Sequence, residues 1–179
     1  MLILASQSPR RKELLRLVTS DYIVIPANID EDVVVKVPSD LAKEISKLKA
    51  YEIFKNHTED TVLAVDTIVI INGKVLGKPK NAADAERMLR LLSGKKHHVI
   101  SGFTLLSKEK EININVVTEV YFNPLSDETI KAYIKSGSPF DKAGGYGIQD
   151  EQFGLVNKIN GSYYNVMGLP VEELKKYIK

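Results

Sequence analysis

The sequence predicts an α/β or α+β fold with a mixed sheet. Strand and helix patterns alternate through the first half of the chain, which is typical of parallel strands with crossover helices. Two long strand patterns joined by a short charged turn then follow, as in an antiparallel pair. No linker-like stretch and no internal repeat interrupts the 179 residues, which favours a single domain over residues 1–179.

The first elements are read from short apolar runs and from the residues that begin helices. Leu2–Ala5 predicts a short buried strand, and a polar turn follows it. The next helix is expected to have Ser8 as its N-cap and Pro9 at its first position, since both residue types favour a helix start. Tyr22–Pro26 predicts a second strand.

A long helix and the strongest strand of the chain come next. The helix is expected from Pro38 to about His57, with Ser39 as its cap and one apolar face formed by Leu41, Ile45, Leu48 and Ile53. Thr61–Ile71 is apolar at nearly every position, which indicates a central strand buried on both faces. Asn72-Gly73 then predicts a hairpin turn into a strand at Lys74–Leu76.

The elements of the second half are predicted from the spacing of apolar residues and from the turn and capping residues between them. In chain order it contains a helix over Asn81–Leu92, strands over Lys96–Leu106 and Ile112–Phe122, a helix from Ser126 to Lys135, a glycine-rich stretch over Asp141–Gly147, a strand near Leu155–Ile159 and a helix from Pro170 to Lys179.

Composition excludes several classes of protein. Hydrophobic residues make up 44% of the chain and charged residues 27%, which excludes wholesale disorder and collagen. The net charge of +2, without a basic stripe of interleaved aromatic residues, does not favour nucleic-acid or membrane binding. No apolar run reaches the roughly 18 residues of a membrane span, so a cytoplasmic protein is expected. Cysteine is absent, which favours a hard cation on carboxylates over zinc.

The first candidate site is the turn SQSPRR, residues 6–11, between the first strand and the first helix. The N–H groups and the positive end of the dipole at a helix start attract an anion. Arg10 and Arg11 are unfavourable beside that positive end, yet guanidinium groups bind phosphate bidentately. Two interpretations are equally supported: a phosphate site that includes Ser6, or a plain cap followed by solvated arginines.

The second candidate is Asp66, followed by Thr67, inside the apolar strand TVLAVDTIVII. Burying a carboxylate among apolar residues is costly unless it is paired or binds a metal. A general base is therefore favoured over an aspartate that bonds to backbone at a bulge. Glu31 lies in an acidic segment, and when it is considered by itself a solvated loop is the favoured interpretation. If the fold brought it to Asp66, the two carboxylates could share a Mg²⁺-type ion.

Two lysines are candidates for the same site. Lys49 lies on the predicted long helix, and Lys78 lies in the turn just after the hairpin. A single lysine is more often a solvated surface residue. Lys78 is the better candidate of the two, because the Gly-Lys-Pro turn fixes its backbone.

The segment DKAGGYGIQ, residues 141–149, is too rich in glycine for a helix and matches no standard phosphate or dinucleotide loop. A flexible lid, a loop that approaches a ligand closely and a turn-rich connection remain open, and composition favours the last. Gln149 carries a donor and an acceptor that would pair with an amide-type base edge. His97 and His98 lack a third histidine at ligand spacing, which indicates a structural or surface role.

Taken in order, these motifs resemble the Maf family of nucleoside triphosphate pyrophosphatases. The matching residues are Ser6–Arg11, Glu31, Lys49-Ala50, Asp66-Thr67, Gly77-Lys78-Pro79, Ser101-Gly102, Asp141–Gln149 and Gly161–Pro170. Each motif is weak by itself, but the ordered set is specific and extends from Leu2 to the final helix. The family motif usually has alanine where this chain has Gly145.

The resemblance implies a fold and a reaction. The fold is a strongly bent mixed sheet with helices on both sides, in two lobes around a cleft, similar to the inosine-triphosphate pyrophosphatases. The reaction is hydrolysis of a nucleoside triphosphate between the α and β phosphates with a divalent cation, Mg²⁺ or Mn²⁺. Arg10, Thr67 and Gln149 match the subgroup that prefers dTTP and UTP, and such an enzyme would remove excess or non-canonical pyrimidine nucleotides. Members often form dimers, so a homodimer is an expectation.

The resemblance also implies roles for the site residues. Asp66 is the general base for the attacking water, and Glu31 and Asp66 anchor the metal. Thr67 and Gln149 hold the pyrimidine ring. The triphosphate lies against Ser6, Arg10, Arg11, Lys49 and Lys78.

Two alternatives to this function are carried forward. One is a 7-methyl-GTP pyrophosphatase, the preference of the other subgroup. The second is a nucleotide-binding regulator of septum formation that needs no turnover. The enzyme is favoured over the regulator, because a pure binding module would not need both carboxylates.

Overall fold

The computed structural model, which describes residues 1–178, confirms the mixed α/β class. Its strands are Leu2–Leu4 (β1), Ile23–Val24 (β2), Thr61–Ile71 (β3), Lys74–Leu76 (β4), Lys96–Leu106 (β5), Glu111–Phe122 (β6) and Val156–Asn160 (β7). Its helices are Pro9–Leu15 (α1), Leu41–Phe54 (α2), Ala82–Leu92 (α3), Asp127–Lys135 (α4), Tyr163–Met167 (α5) and Val171–Leu174 (α6). Over the same residues, no helix combines the length and the apolar character needed to cross a membrane.

The strands form a sheet in the order β2-β1-β3-β5-β6-β7, with β4 paired to β3. β1 pairs in parallel with both β2 and β3, and Leu4 lies opposite Leu63. β4 pairs antiparallel with β3, and β7 antiparallel with β6. The predicted hairpin turn between β3 and β4 is present, because Asn72 and Gly73 both adopt the positive φ that such a tight turn requires.

The described chain divides into two compact units. The first unit comprises Met1–Thr67, Ser101–Val116 and the chain from Gly168 onward. Its core lies where α2 packs on β1, β3 and β5, and its buried members are Ile3, Ala5, Ala50, Ile53, Val62, Ala64 and Leu106. This packing fixes α2 against the middle of β3, where Asp66 lies.

The second unit comprises Ile68–Ile100 and Val117–Met167. Its core contains the buried face of α3, the ends of β3, β5 and β6, and the aromatic rings of Phe122, Tyr133 and Tyr146. Phe122 and Tyr146 meet edge to face with centroids 4.7 Å apart. These rings anchor the glycine-rich segment that contains Tyr146 and Gln149.

Several local predictions are wrong. Pro38–Asp40 forms a 3₁₀ turn before α2, so Ser39 lies inside the turn and does not cap the helix. Leu48 is 46% exposed and does not share the buried face of α2. The second strand is shorter than Tyr22–Pro26, and the helix α5 was not expected. The final helix is shorter than predicted, and Lys179 lies outside the described residues.

Candidate active site

Asp66 lies near the middle of β3, at the point where the strand's buried pattern is interrupted. The residues from Val62 to Val65 are buried, Asp66 and Thr67 are half-buried, and Ile68 is buried again. The Asp66 side chain is only 14% exposed. A carboxylate so placed needs a partner, because an unpaired charge in such surroundings is costly.

Lys49 supplies that partner from the last half of α2. Its ammonium Nζ donates to Asp66 Oδ1 at 3.1 Å and lies 2.7 Å from Glu31 Oε1. The side chains of Lys49 and Asp66 are 12% and 14% exposed, whereas that of Glu31 is 56% exposed. The structure thus brings the two predicted carboxylates to one cationic atom, within the first unit.

Arg11 is held by a second set of bonds beside this group. Its Nε donates to the Gly168 carbonyl at 2.8 Å, and its Nη2 donates to Thr67 Oγ1 at 3.0 Å. Thr67 Oγ1 lies 2.9 Å from Ser101 Oγ. Burial lowers the pKa of Arg11, and the nearby negative charge of Asp66 opposes that shift. Two bonded donors at adjacent nitrogens fix the plane of the guanidinium.

The turn before α1 forms as the sequence predicted. Ser8 caps the helix by accepting the Arg11 N–H at 3.4 Å, and Pro9 occupies its first position. Ser6 is buried, and its hydroxyl oxygen accepts the Ser8 N–H at 3.2 Å. Arg10 is half-buried, and its charge also lowers the pKa of Arg11. The first helical turn carries no acidic residue that would neutralise the two arginines.

Lys78 and Gln149 belong to the second unit. Lys78 is exposed between β4 and α3, and Gln149 is half-buried in the glycine-rich segment. The Gly144 N–H donates to the Gly77 carbonyl at 3.0 Å, so the turn with Lys78 is tied to that segment. Gly145 has a φ of 73°, a conformation that glycine adopts more easily than the alanine usual in the family motif.

A cavity of about 360 Å³ lies beside this segment in the second unit. It is lined by residues on both sides of Gln149, and by Gly154, Leu155, Val156, Lys158, Ile159 and Tyr163. Its walls combine the apolar side chains of Ile148 and Ile159 with the charges of Asp150 and Lys158. Such mixed lining is typical of small-molecule sites.

Three groups in these arrangements were not assigned a role from the sequence. They are the Ser101 hydroxyl, the Gly168 carbonyl and the Tyr133 hydroxyl, which bonds the segment around Gln149. Ser101 could have been suspected, because a serine inside the apolar strand β5 needs a hydrogen-bond partner. No sequence signal identifies a backbone carbonyl such as that of Gly168.

Comparison with known proteins gives the family. The family model "Maf-like protein" matches residues 1–179. The chain belongs to the Maf family, and the resemblance stated from the sequence is confirmed.

Several named relatives match nearly the whole chain. A dTTP/UTP pyrophosphatase of Thermosipho africanus is 50% identical over 97% of this chain and 89% of its own length. Proteins of the same name from Thermococcus onnurineus and Pyrococcus furiosus are 47% and 46% identical, covering 96% and 99% of this chain and 93% and 94% of their own lengths.

A solved structure shares the fold. The Staphylococcus aureus Ham1 protein matches with a TM-score of 0.52 and 16% identity. The match covers 68% of this chain and 71% of that one. At this identity the likeness concerns the fold alone.

Proposed function

We propose that this chain hydrolyses nucleoside triphosphates, with a preference for dTTP and UTP, to the monophosphate and pyrophosphate. The observation that carries the proposal is the convergence of Asp66 and Glu31 on the Lys49 ammonium, beside the half-buried Arg11. A base and cationic groups in one small volume are what phosphoryl transfer requires. Family membership and the named relatives support the reaction and the base preference.

In the proposed step, water adds to the α-phosphorus and the bond to the oxygen bridging the β-phosphorus breaks. Pyrophosphate leaves, and the water's proton goes to Asp66. Because Lys49 bonds the Oδ1 atom of Asp66, we assign proton abstraction to Oδ2. The orientation of Asp66 by Lys49 keeps this oxygen aimed at one position, as general-base catalysis needs.

In the proposed function, the charge of the triphosphate is offset by Arg10, Arg11 and Lys49 of the first unit. The part of Lys78, which belongs to the second unit, stays a prediction from the family resemblance. Ser6 Oγ accepts the Ser8 N–H, so its own O–H remains a donor for a phosphate oxygen. These groups would stabilise the negative charge that develops as pyrophosphate leaves.

Glu31 and Asp66 are the residues that would hold a divalent cation, Mg²⁺ or Mn²⁺. Their fit rests on the fact that both carboxylates already face one cationic atom, the Lys49 Nζ. In the part of the chain that the structure describes, no group of three or more His, Cys, Asp or Glu side chains could hold a metal ion. Substrate phosphates would have to complete the coordination, as is usual for Mg²⁺. The bound cation would neutralise charge on the phosphate oxygens.

Base recognition is assigned to Gln149 and Thr67, with Arg10 as the third residue of the subgroup pattern. A hydrogen-bonding site rejects a base that leaves its polar groups unpaired. We further propose that residues 1–179 act as one pyrophosphatase domain in the cytoplasm, on the nucleotide pool. A homodimer stays a prediction.

The test is pyrophosphate release from dTTP, UTP, CTP, 7-methyl-GTP and the purine triphosphates, with Mg²⁺ and with Mn²⁺. The wild type is expected to turn over dTTP and UTP fastest. Asp66→Asn is expected to lower kcat by about 100-fold or more, the usual contribution of a general base, while nucleotide binding is retained.

Asp60→Asn is the matched control, because Asp60 is also a partly exposed carboxylate of the first unit, paired with the N-terminal amine at 3.2 Å. It should leave kcat within about twofold, as expected for a surface ion pair away from the chemistry. Unchanged turnover in Asp66→Asn would contradict the assigned base. Preference for 7-methyl-GTP would contradict the proposed selectivity for dTTP and UTP, and would leave the proposed reaction standing. Nucleotide binding without any turnover would favour the regulator of septum formation.

A further inference from the structure

Gln149 lies in a closed turn of the second unit. The Asp150 N–H donates to the Gly147 carbonyl at 3.1 Å, so Ile148 and Gln149 are the two central residues of the turn Gly147–Asp150. Ile148 is 7% exposed and points into the protein, whereas Gln149 is half-buried. The direction of the Gln149 side chain therefore depends on how the two ends of the turn are held.

One buried hydroxyl holds both ends of this turn. The Tyr133 hydroxyl, from α4, accepts the Gly147 N–H at 2.9 Å and donates to Asp150 Oδ2 at 2.6 Å. Tyr133 is fully buried, and its ring packs edge to face on Phe153 with centroids 4.9 Å apart. A phenol has one donor and accepts as well, so both capacities are used on the turn. Burial raises the pKa of Tyr133 above its usual value, which keeps the hydroxyl protonated as a donor.

Further contacts make the turn compact. Ser138 Oγ also donates to Asp150 Oδ2, and Lys142 Nζ donates to Ser138 Oγ at 3.1 Å. A Cβ at Gly147 would lie 3.0 Å from Gln149 Oε1, so the Gln149 amide lies directly over the glycine at the start of the turn. The position of that amide is therefore coupled to the Gly147 backbone, which Tyr133 holds.

We propose that Tyr133 is a positioning residue for base recognition, acting through Gln149 by fixing both ends of the turn that carries it. This inference rests on the proposed function, in which Gln149 pairs with the pyrimidine edge. Discrimination by hydrogen bonds requires the site's groups to be held within about 0.5 Å of their bonding positions. A turn held at one end only would let the Gln149 amide rotate and pair less selectively.

The test is Tyr133→Phe, which retains the ring on Phe153 and removes only the hydroxyl. We expect KM for dTTP and UTP to rise five- to tenfold with kcat nearly unchanged, and the preference for dTTP over CTP to fall by a similar factor. Tyr146→Phe is the matched control. It removes another buried hydroxyl of the second unit, which lies 2.6 Å from His97 Nε2, and it should leave the dTTP/CTP preference unchanged. Urea unfolding of both variants measures how much stability each has lost.

Two variants at Asp150 test the same arrangement without changing the aromatic core. Asp150→Ala removes the acceptor for the phenol and should lose selectivity in the same direction as Tyr133→Phe. Asp150→Asn retains an acceptor oxygen and should recover most of the selectivity. Equal selectivity in the alanine and asparagine variants would contradict the proposal.

The double variant Tyr133→Phe with Gln149→Ala separates this inference from the proposed function. If Tyr133 acts through Gln149, its replacement will have no further effect on selectivity once Gln149 is alanine. Two outcomes would overturn the positioning role of Tyr133 and leave the proposed function standing. In one, the losses of selectivity in the two single variants add up in the double variant. In the other, Tyr133→Phe stays selective although Gln149→Ala is not. A Gln149→Ala enzyme with unchanged preference would overturn the base contact of the proposed function, and the positioning role with it.

Discussion

At the scale of single residues, the Arg11 guanidinium depends on partners that are far from it in the sequence. It bonds the Gly168 carbonyl and the Thr67 hydroxyl, and Thr67 is bonded in turn to Ser101. A cation that burial destabilises needs such polar partners to stay in place. Weakening this chain of hydroxyls should let the guanidinium leave the orientation in which it would bind a phosphate.

Ser101→Ala is expected to raise KM for dTTP about fivefold, which corresponds to one net hydrogen bond of roughly 1 kcal/mol. The change in kcat should be smaller, since Asp66 and Lys49 are untouched. Steady-state pyrophosphate release separates the two constants. Ser46→Ala is the control, because Ser46 and Thr104 form another buried hydroxyl pair of the first unit, 2.9 Å apart. An equal rise of KM in both variants would count against a specific role for Ser101.

At this scale, the sequence identified functional residues better than it identified their hydrogen-bond partners. The Ser8 cap was predicted because its partner lies three residues away. Asp66 stood out because a carboxylate in an apolar strand is costly. The bond between Arg11 and Gly168 joins residues 157 positions apart, and no local pattern records such a pair. The role of Thr67 toward a pyrimidine stays a prediction beside its observed bond to Arg11.

At the scale of elements, α2 lies so close to β5 that Gly102 admits no side chain. A Cβ at this position would lie 2.3 Å from the Lys43 nitrogen and 2.4 Å from the Ala42 carbonyl carbon. Backbone atoms inside a helix cannot move aside as a flexible side chain can. Since α2 carries Lys49, the glycine sets the distance at which that ammonium can reach Asp66.

Gly102→Ala is expected to destabilise the protein by about 3 kcal/mol, near the upper end for overpacking. Urea unfolding followed by circular dichroism measures the change. Gly77→Ala is the control, because nothing lies within 4 Å of a Cβ at that position, and it should change stability by less than about 1 kcal/mol. Similar losses in the two variants would show that the contact between α2 and β5 adapts to the added methyl group.

Most helices and strands could be predicted from long apolar patterns in the sequence. The wrong predictions concern segments whose structure depends on tertiary contacts. Thr61–Ile71 is a strand over the predicted residues. Ser39 failed as a cap because a 3₁₀ turn precedes α2, and its carbonyl instead accepts a bond from Asn115 at 2.8 Å. The five-residue helix α5 is too short for a periodic signal. Its buried Asn165 bonds Thr118 on β6 at 3.0 Å, a contact that sequence spacing does not reveal.

At the scale of the whole molecule, the order of the elements predicts the fold class, whereas two lobes were expected from the family resemblance alone. The class follows from the order of strands and helices. The division falls within β3, β5 and β6, since each of these strands contributes residues to both units. Their apolar pattern continues across the division, so the sequence marks no boundary there. The expectation of a single domain over residues 1–179 stays a prediction.

Stability of the whole molecule should depend on an imidazole that is buried uncharged. His97 is 1% exposed, its Nε2 lies 2.6 Å from the Tyr146 hydroxyl, and the Phe122 ring packs on its edge. Within residues 1–178 its Nδ1 atom has no hydrogen-bond partner. Burial, with a smaller contribution from His98, lowers the pKa of His97 from 6.5 to about 4. A protonated ring would be unfavourable in this core.

Between pH 6.5 and about 4, the unfolded chain therefore binds a proton at His97 that the folded chain does not. Stability must fall as the pH falls through this window, by about 1.4 kcal/mol per pH unit, or roughly 2 kcal/mol between pH 6.5 and 5. Urea unfolding at pH 7, 6 and 5 should show this loss in the wild type and in His98→Gln. His97→Gln removes the titrating ring, retains a polar group for Tyr146 and should lose less stability over the same range. Equal slopes in His97→Gln and the wild type would mean that the carboxylates alone set the acid sensitivity, because the buried imidazole would then titrate alike in both states.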